Sequence, residues 1–352
     1  MKNRKAPKRK HRFGKPLRGA VGVATALICG LATLGALQFM GPLKFAPAPF
    51  ASVLGRSEPN LGAKASADAF GVSMGVALRE AMPRQELEFP LQVSTDPENL
   101  EYRWVPVARN YADTVAARPL EGSTVVAPET PGVYRLALSQ NGVEQIIAEP
   151  AVAVLVPFAS KVGGFLNGYR IGTYIAERLS PRRAAKERPD GFIEVTEDML
   201  DLQVSRHFRI RDFNTHDQQD EVWPKYVALD PRLLDKLKLV MVKLAHFRGE
   251  DSLPTTALDV HSGFRTPAYN RSVDRSAKDS RHQYGDAADV VIDADRDGRI
   301  TMKDIKLIVK AVEQVEREHP ALVGGVGQYI SRRYRTPYVH IDARGTRSRW
   351  QG

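Results

Sequence analysis

The sequence predicts an α+β protein that begins with an apolar segment and continues into a β-rich region and a mixed region. Three observations support this fold class. Residues 19–41 contain no charged side chain, residues 87–157 consist of short β-type runs between turn residues, and the clearest amphipathic helix pattern begins at Asp230.

The N-terminal tail, residues 1–18, holds nine Lys and Arg residues and no acid, so it carries most of the net charge of +10. The uncharged residues 19–41 are long enough to cross a bilayer core of about 30 Å as a helix. Positive residues before an apolar span stay on the cytoplasmic side, so a signal-anchor helix would export the rest of the chain. A cleaved signal peptide is the alternative, but this span is longer than usual and lacks a clean cleavage site.

Charge and cysteine content restrict what the exported part can do. Without the tail the chain is close to neutral, which argues against nucleic-acid binding by its folded part. Cys29 is the only cysteine and lies inside the apolar span. A metal site in the exported part must therefore use His, Asp or Glu, and a thiol nucleophile is excluded.

The segment between the apolar span and the C-terminal half contains two predicted regions. Residues 42–86 are rich in Pro, Ala and Gly and are predicted to be a linker, which can include a short helix over 65–81. Residues 87–157 are predicted to form a small β-sandwich-like domain, because period-two runs alternate with turns such as Asn141-Gly142. Its predicted role is that of a spacer or packing domain.

An α+β region is predicted over 158–256, and it leads into a C-terminal domain over 257–352. Its clearest element is a helix that begins at Asp230-Pro231, an N-cap followed by proline at the first helical position. Five apolar residues fall on one face of this helix and are predicted to be core: Leu233, Leu234, Leu237, Met241 and Leu244. Three histidines of the region lack a partner at ligand spacing and are predicted to be structural or exposed: His207, His216 and His246.

Two C-terminal segments contain the residues that suggest chemistry. SRHQYGDAAD at 280–289 runs into an apolar stretch, and YVHID follows at 338–342. A mononuclear catalytic metal site needs three protein ligands and one open position for water. His282, Asp289 and His340 supply three nitrogen or oxygen ligands. Gly285 and Ala287, between the first two ligands, are small enough for a tight turn near a metal.

These segments resemble the zinc D-Ala-D-Ala carboxypeptidases and dipeptidases, a group that also includes lysostaphin-type peptidases and the hedgehog signalling domain. The pattern SxHxxGxAxD with a later histidine carries the resemblance. The chain looks closest to the cell-wall branch, which shares further blocks in the same order. Here these blocks are SGFRTPAYN at 262–270, GGVGQY at 324–329 and YVHID at 338–342, and they are followed by Trp350 near the end of the sequence. The resemblance implies a hedgehog/DD-peptidase-like zinc domain at the C-terminus.

The resemblance also implies site residues and an activity. His282, Asp289 and His340 would bind zinc, which polarises the scissile carbonyl and activates water. Arg265 would point into the site and hold an oxyanion or a substrate carboxylate, with a structural salt bridge as its alternative role. The expected activity is hydrolysis of D-amino-acid-containing peptide bonds of peptidoglycan, of carboxypeptidase or endopeptidase type. The expected location is the bacterial inner membrane, with a cytoplasmic N-terminus and periplasmic C-terminal domains.

One position departs from the family pattern. Dipeptidases of the family carry an acidic general base three residues before the last histidine, where this chain has Pro337; other branches have a histidine where this chain has Tyr338. Asp342 is therefore predicted to be the general base or, with equal weight, a partner that orients a ligand. Without a base, the chain would be a weak or inactive cell-wall-binding scaffold that keeps its zinc.

The loop after the zinc motif has the spacing of a calcium-binding loop. Residues 293–304 place acids at loop positions 1, 3, 5 and 12 and glycine at position 6. The predicted calcium ligands are Asp293, Asp295, Asp297, Asp304 and the backbone of Arg299. A compatible alternative is that Thr301 and Asp304 form the N-cap and capping box of the helix that follows. Calcium would have a structural role here.

Overall fold

The computed structural model describes residues 61–65, 77–89, 91–94, 99–108, 116–178, 188–250, 258–330 and 336–352. Within this part, the chain has a mixed α and β structure with several small sheets, as the sequence predicts. The basic tail, the apolar segment with Cys29 and most of the predicted linker lie outside the described residues. Among the helices of the described part, none has the length and apolar character needed to span a membrane.

The first half of the described chain is built from ten strands. They are β1 (Lys64–Ala65), β2 (Leu78–Ala81), β3 (Glu86–Glu88), β4 (Leu91–Gln92), β5 (Glu101–Pro106), β6 (Arg118–Pro119), β7 (Thr124–Val126), β8 (Gly132–Gln140), β9 (Val143–Ile146) and β10 (Ala151–Val154). A six-stranded sheet has the order β2-β10-β8-β5-β6, with β9 also paired to β8. The hairpin β8–β9 turns at Asn141-Gly142, where both residues have positive φ angles of 52° and 81°, as the sequence predicts for this dipeptide.

The β structure begins before residue 87, within the segment predicted to be a linker. Strand β2 pairs in parallel with β10, and β1 pairs with β4. The described ends of the segment 65–81 are therefore strands rather than the expected helix, because long-range pairing satisfies their backbone hydrogen bonds. Leu87 of β3, Val125 of β7 and Trp104 of β5 share one buried core with the large sheet. The sandwich-like arrangement itself stays a prediction.

The second half contains ten further strands and four helices. They are β11 (Val156–Pro157), β12 (Phe165–Leu166), β13 (Tyr169–Arg170), β14 (Gly191–Val195), α1 (Ile210–Phe213), β15 (Lys225–Val227), α2 (Pro231–Phe247), β16 (Asp259–Ser262), α3 (Pro267–Asn270), β17 (Ala287–Val291), α4 (Met302–Glu318), β18 (Gly325–Tyr329), β19 (Tyr338–Asp342) and β20 (Ser348–Gln351). The main sheet has the order β16-β17-β19-β18-β20, and β11-β14-β15 and β12-β13 form smaller sheets.

Helix α2 begins where its cap residues predict. The Asp230 carboxylate accepts the backbone N–H of Arg232 at 2.9 Å, and Pro231 occupies the first turn. All five predicted core residues of the helix are buried. Helix α2 contacts α4, and α4 contacts β19, so the two helices support the strand that carries His340.

The register of the main sheet brings the predicted ligands together. Strands β17 and β19 are antiparallel, and Asp289 lies directly opposite His340. Strand β16 pairs with the other side of β17, where Ser262 lies opposite Asp289. Residues that are far apart in the sequence thus meet at one point of the sheet.

Candidate metal centre

His282 reaches the sheet from a 3₁₀ turn, Arg281–Tyr284, that ends at Gly285. Gly285 has a φ of +76°, and a Cβ at this position would lie 2.3 Å from the carbonyl oxygen of Ala228. A side chain cannot be accommodated there, so glycine is required for the turn to pack against the chain before α2. The turn thereby holds the His282 ring over β17.

The donor atoms of His282, Asp289 and His340 form a triangle. His282 Nε2 lies 3.2 Å from Asp289 Oδ1 and 3.1 Å from His340 Nδ1, and the third side, from His340 Nδ1 to Asp289 Oδ1, is 3.0 Å. All three residues are buried. This group can hold a metal ion, as the sequence predicts.

Backbone and side-chain partners fix which ring nitrogens face the triangle. His282 Nδ1 donates a hydrogen bond to the carbonyl oxygen of Gly263 at 2.6 Å, which leaves the lone pair of Nε2 to bind a metal. His340 Nε2 donates to Asp342 Oδ2 at 3.1 Å, which leaves Nδ1 for the same purpose. Second partners of this kind orient metal-ligating histidines in known sites.

The electrostatics of His282 and Asp289 favour the protonation states that a metal requires. His340 differs, because burial alone would lower its pKa but its hydrogen bonds with Asp289 and Asp342 outweigh burial and raise it. Burial lowers the pKa of His282, so its ring is neutral over a wider pH range. Burial alone would raise the pKa of Asp289, but the charges and hydrogen bonds of His282 and His340 hold it well below its usual value. A neutral imidazole and an ionised carboxylate are the ligand forms of these side chains.

Asp342 lies behind His340, on the side of the ring away from the triangle. It is fully buried and accepts hydrogen bonds from Gly325 N–H at 2.7 Å and from Arg344 Nε at 2.9 Å, besides that from His340. Burial opposes its ionised form, yet these donors lower its pKa well below the usual range. This geometry supports the orienting role of Asp342 rather than the role of general base.

Arg265 contacts the outer oxygen of the central carboxylate. Its Nη2 lies 2.5 Å from Asp289 Oδ2, and its Nε donates to Ser262 Oγ at 2.7 Å. Its backbone N–H also donates to the carbonyl oxygen of His282 at 3.0 Å. The guanidinium thus forms a salt bridge to Asp289 and lines the cleft beside it. Its role in holding an oxyanion or a substrate carboxylate stays a prediction.

A cavity of about 250 Å³ opens beside the triangle. Its lining residues are His216, His261, Ser262, Arg265, Tyr269, Val273, Asp289 and Tyr338. His216 was expected to be structural or exposed; it is exposed and lines this cleft. His261 was not predicted as a site residue, although its spacing from Asp259 in a strand ahead of SGFRTP is a usable signal. The two side chains are paired, with His261 Nε2 at 3.1 Å from Asp259 Oδ2.

The other side of His340 is covered by Trp350. The two ring centroids are 5.1 Å apart, and the indole Nε1 donates to the hydroxyl of Tyr329 at 3.1 Å. A Cβ on Gly327 would lie 2.4 Å from the indole, so the absence of a side chain at this position lets Trp350 pack against the sheet. The triangle is therefore closed on the Trp350 side and accessible from the cleft.

The predicted calcium loop brings together three of its four acids. Carboxylate oxygens of Asp293, Asp295 and Asp297 lie within 4.8 Å of one another. Asp304 does not join them, which corrects its assignment as a ligand. Its oxygens accept the N–H groups of Ala294 and Thr301, both at 2.7 Å, so it is occupied as a capping-box residue of α4. The backbone N–H of Arg299 donates to Asp297 Oδ1 at 2.9 Å within the loop.

Comparison of the chain with protein-family models and with curated protein sequences gives no match. The chemistry of the site is therefore inferred from its own donor atoms and its cleft. Three buried nitrogen and oxygen donors beside an accessible cavity form an arrangement suited to metal-assisted hydrolysis.

Proposed function

We propose that the C-terminal domain is a zinc metallopeptidase with a hedgehog/DD-peptidase-like fold, which hydrolyses D-amino-acid-containing peptide bonds of peptidoglycan. The observation that carries this proposal is the buried triangle of His282, Asp289 and His340 beside a cleft. Two histidines and one carboxylate with an accessible face are typical of catalytic rather than structural zinc sites.

Zinc is the metal that the donor set favours. A tetrahedral zinc with bonds of 2.0–2.1 Å places its ligand atoms about 3.3 Å apart. The three separations in the structure, 3.0–3.2 Å, are close to this value. Bound zinc would polarise a carbonyl oxygen and make a water nucleophilic near neutral pH.

The side chains around the triangle have separable roles in this proposal. Asp342 orients His340, and the carbonyl oxygen of Gly263 orients His282. Arg265 holds Asp289 and presents its guanidinium to the cleft, where it can bind a substrate carboxylate or the developing oxyanion. Trp350 excludes water from the closed side of His340.

The substrate class and the location rest on the sequence. The blocks at 262–270, 280–289, 324–329 and 338–342 resemble the cell-wall branch of zinc D,D-peptidases. A basic tail before the apolar segment 19–41 would anchor the chain in the bacterial inner membrane and place the domain in the periplasm, where peptidoglycan occurs.

The test is a digest of purified peptidoglycan by the full-length chain in detergent, loaded with one equivalent of zinc. Release of D-Ala or of uncrosslinked peptides, measured by mass spectrometry, is the expected result. His282→Ala should abolish it, whereas His246→Ala, at the exposed end of α2, should not. A chain with full zinc occupancy that releases no product from any muropeptide would refute the proposal.

A second candidate is a cell-wall-binding scaffold that keeps the metal. The observation that favours it is the position of Asp342 behind His340, together with Pro337 where the dipeptidases that the sequence resembles have an acid. This scaffold would sediment with insoluble peptidoglycan in a zinc-dependent manner and leave the muropeptide profile unchanged. Hydrolysis by the zinc-loaded chain would exclude it.

We also propose calcium binding by the loop 293–304, with Asp293, Asp295 and Asp297 as side-chain ligands. Carboxylate oxygens at alternate positions suit a hard cation such as calcium. Millimolar calcium should raise the melting temperature of the zinc-loaded chain. It should have no such effect on the double variant Asp293→Asn/Asp295→Asn, and an equal response of both proteins would refute calcium binding at this loop.

A further inference from the structure

The cleft beside the triangle contains a proton acceptor that the family pattern does not provide. Pro337 occupies the position where the dipeptidases that the sequence resembles carry an acidic base, and Tyr338 the position where other branches carry a histidine. Asp342 is held behind His340. We propose that His261, oriented by Asp259, transfers the proton during hydrolysis in this cleft. This inference rests on the proposed peptidase function and names the residue that the function lacks.

The position of His261 follows from the sheet. Strand β16 is the edge strand of the main sheet, and its pairing with β17 is irregular between Val260 and Ser262. Such irregularities re-aim side chains and are frequent beside active sites. His261 lies at this point, next to the residue that pairs with Asp289, and its side chain lines the cleft together with Asp289.

The pair formed by His261 and Asp259 is an oriented base. The Asp259 carboxylate accepts from His261 Nε2 at 3.1 Å, which leaves Nδ1 as the nitrogen that can take a proton. A histidine whose second nitrogen is held by a carboxylate is a recurrent arrangement for proton transfer, because the carboxylate fixes the ring and stabilises the imidazolium. His261 is 43% exposed, so solvent and substrate can reach it.

The other polar side chains of the cleft are less suited to accept a proton. Arg265 is permanently charged and bound to Asp289, and Asp289 itself belongs to the metal triangle. The hydroxyls of Tyr269 and Tyr338 are weak proton acceptors. His216 also lines the cleft, and His261 is preferred to it because Asp259 orients its ring.

The proposed step conserves atoms and protons. The attacking water gives one proton to His261 Nδ1 while its oxygen bonds to the carbonyl carbon of the scissile peptide. The carbon–nitrogen bond then breaks, and the imidazolium returns this proton to the nitrogen of the leaving amine. The second proton of the water leaves with the carboxylic acid product, and His261 is neutral again for the next turnover.

The kinetic test compares the wild-type chain with His261→Ala, Asp259→Asn, His216→Ala and the control His246→Ala, each at full zinc occupancy. Loss of a general base lowers kcat by about 10²–10⁴-fold, and we expect this loss in His261→Ala with an unchanged zinc content. Added imidazole should restore part of the rate. Asp259→Asn should show a smaller loss of kcat.

A second readout does not depend on turnover. Diethylpyrocarbonate modifies accessible imidazoles, and a phosphinate analogue of D-Ala-D-Ala should protect His261 from it, while His246 stays reactive. Equal turnover of His261→Ala and wild type, or a loss confined to His216→Ala, would overturn the assignment and leave the peptidase function standing. An inactive wild-type chain at full zinc occupancy would instead overturn both.

Discussion

The replacement of Asp342 by asparagine distinguishes its two predicted roles. The carboxylate accepts hydrogen bonds from His340 Nε2, Gly325 N–H and Arg344, and all of these partners are donors. An asparagine side chain offers one oxygen and one NH₂ group, so at least one donor would face another donor. The substitution therefore weakens the support of the His340 ring without removing a metal ligand.

The expected effect is on metal affinity. Removal of the partner that orients a ligating histidine typically costs 10–100-fold in metal affinity, or about 1.4–2.7 kcal/mol. Because Asp342 is fully buried, water cannot replace the lost acceptor easily, and we expect an effect in the upper part of this range. A general base would show the opposite pattern, with normal zinc affinity and a large loss of kcat.

The assay is a zinc titration of Asp342→Asn against a competing chelator at fixed pH. Asp198→Asn, a substitution at an exposed position, is the matched control, and His340→Ala sets the level for loss of a ligand. A cooperative melt above the assay temperature shows that the variant is folded. An unchanged zinc affinity in a folded Asp342→Asn protein, with loss of turnover, would refute the orienting role.

Two further predictions concern buried charges away from the cleft. Lys236, 0% exposed, donates to Glu316 at 2.8 Å and to the carbonyl oxygen of Asp342 at 2.6 Å. Lys236→Met leaves Glu316 paired with Arg349 alone and the Asp342 carbonyl without this donor, so it should lower the free energy of unfolding in urea by about 1–3 kcal/mol. Lys243→Met, at a more exposed pair, should cost less than about 1 kcal/mol; equal effects would contradict this reasoning. Burial and the nearby Asp230 raise the pKa of Glu80 to about 8. The folded chain thus binds this proton more tightly than the unfolded chain, and stability should fall as the pH rises from about 4.5 to about 8, by at most about 1.4 kcal/mol per pH unit. Glu80→Gln should remove this part of the pH dependence of the melting temperature, and an unchanged profile would contradict it.

Local signals in the sequence predicted the elements whose boundaries depend on near neighbours. The start of α2 follows from Asp230 and Pro231, and the start of α4 follows from the capping box of Thr301 and Asp304. The placement of His340 and Asp342 on one side of β19 follows from the two-residue period of a strand. Each of these features is determined within four residues of the chain.

Local sequence patterns do not predict the features that depend on contacts between distant residues. The parallel pairing of β2 with β10 turns part of the predicted linker into sheet, and no local pattern of β2 contains its partner. Likewise, Asp304 has the spacing of a calcium ligand, but the fold brings Ala294 N–H to its carboxylate. The position of His261 beside the cleft depends on the register of β16 against β17, which no local pattern of β16 contains.

The three side chains of the triangle are each held by a second contact that does not depend on a metal. In each of them one atom faces the triangle while another contacts a neighbouring group of the protein. The Gly263 carbonyl holds His282, Arg265 holds Asp289, and Asp342 holds His340. Ligand orientation is therefore imposed by the sheet and its loops, unlike in zinc fingers, whose ligands are ordered only when the metal binds. It follows that removal of the metal should leave the main sheet folded, and that loss of one anchor should weaken metal binding while all three ligands remain.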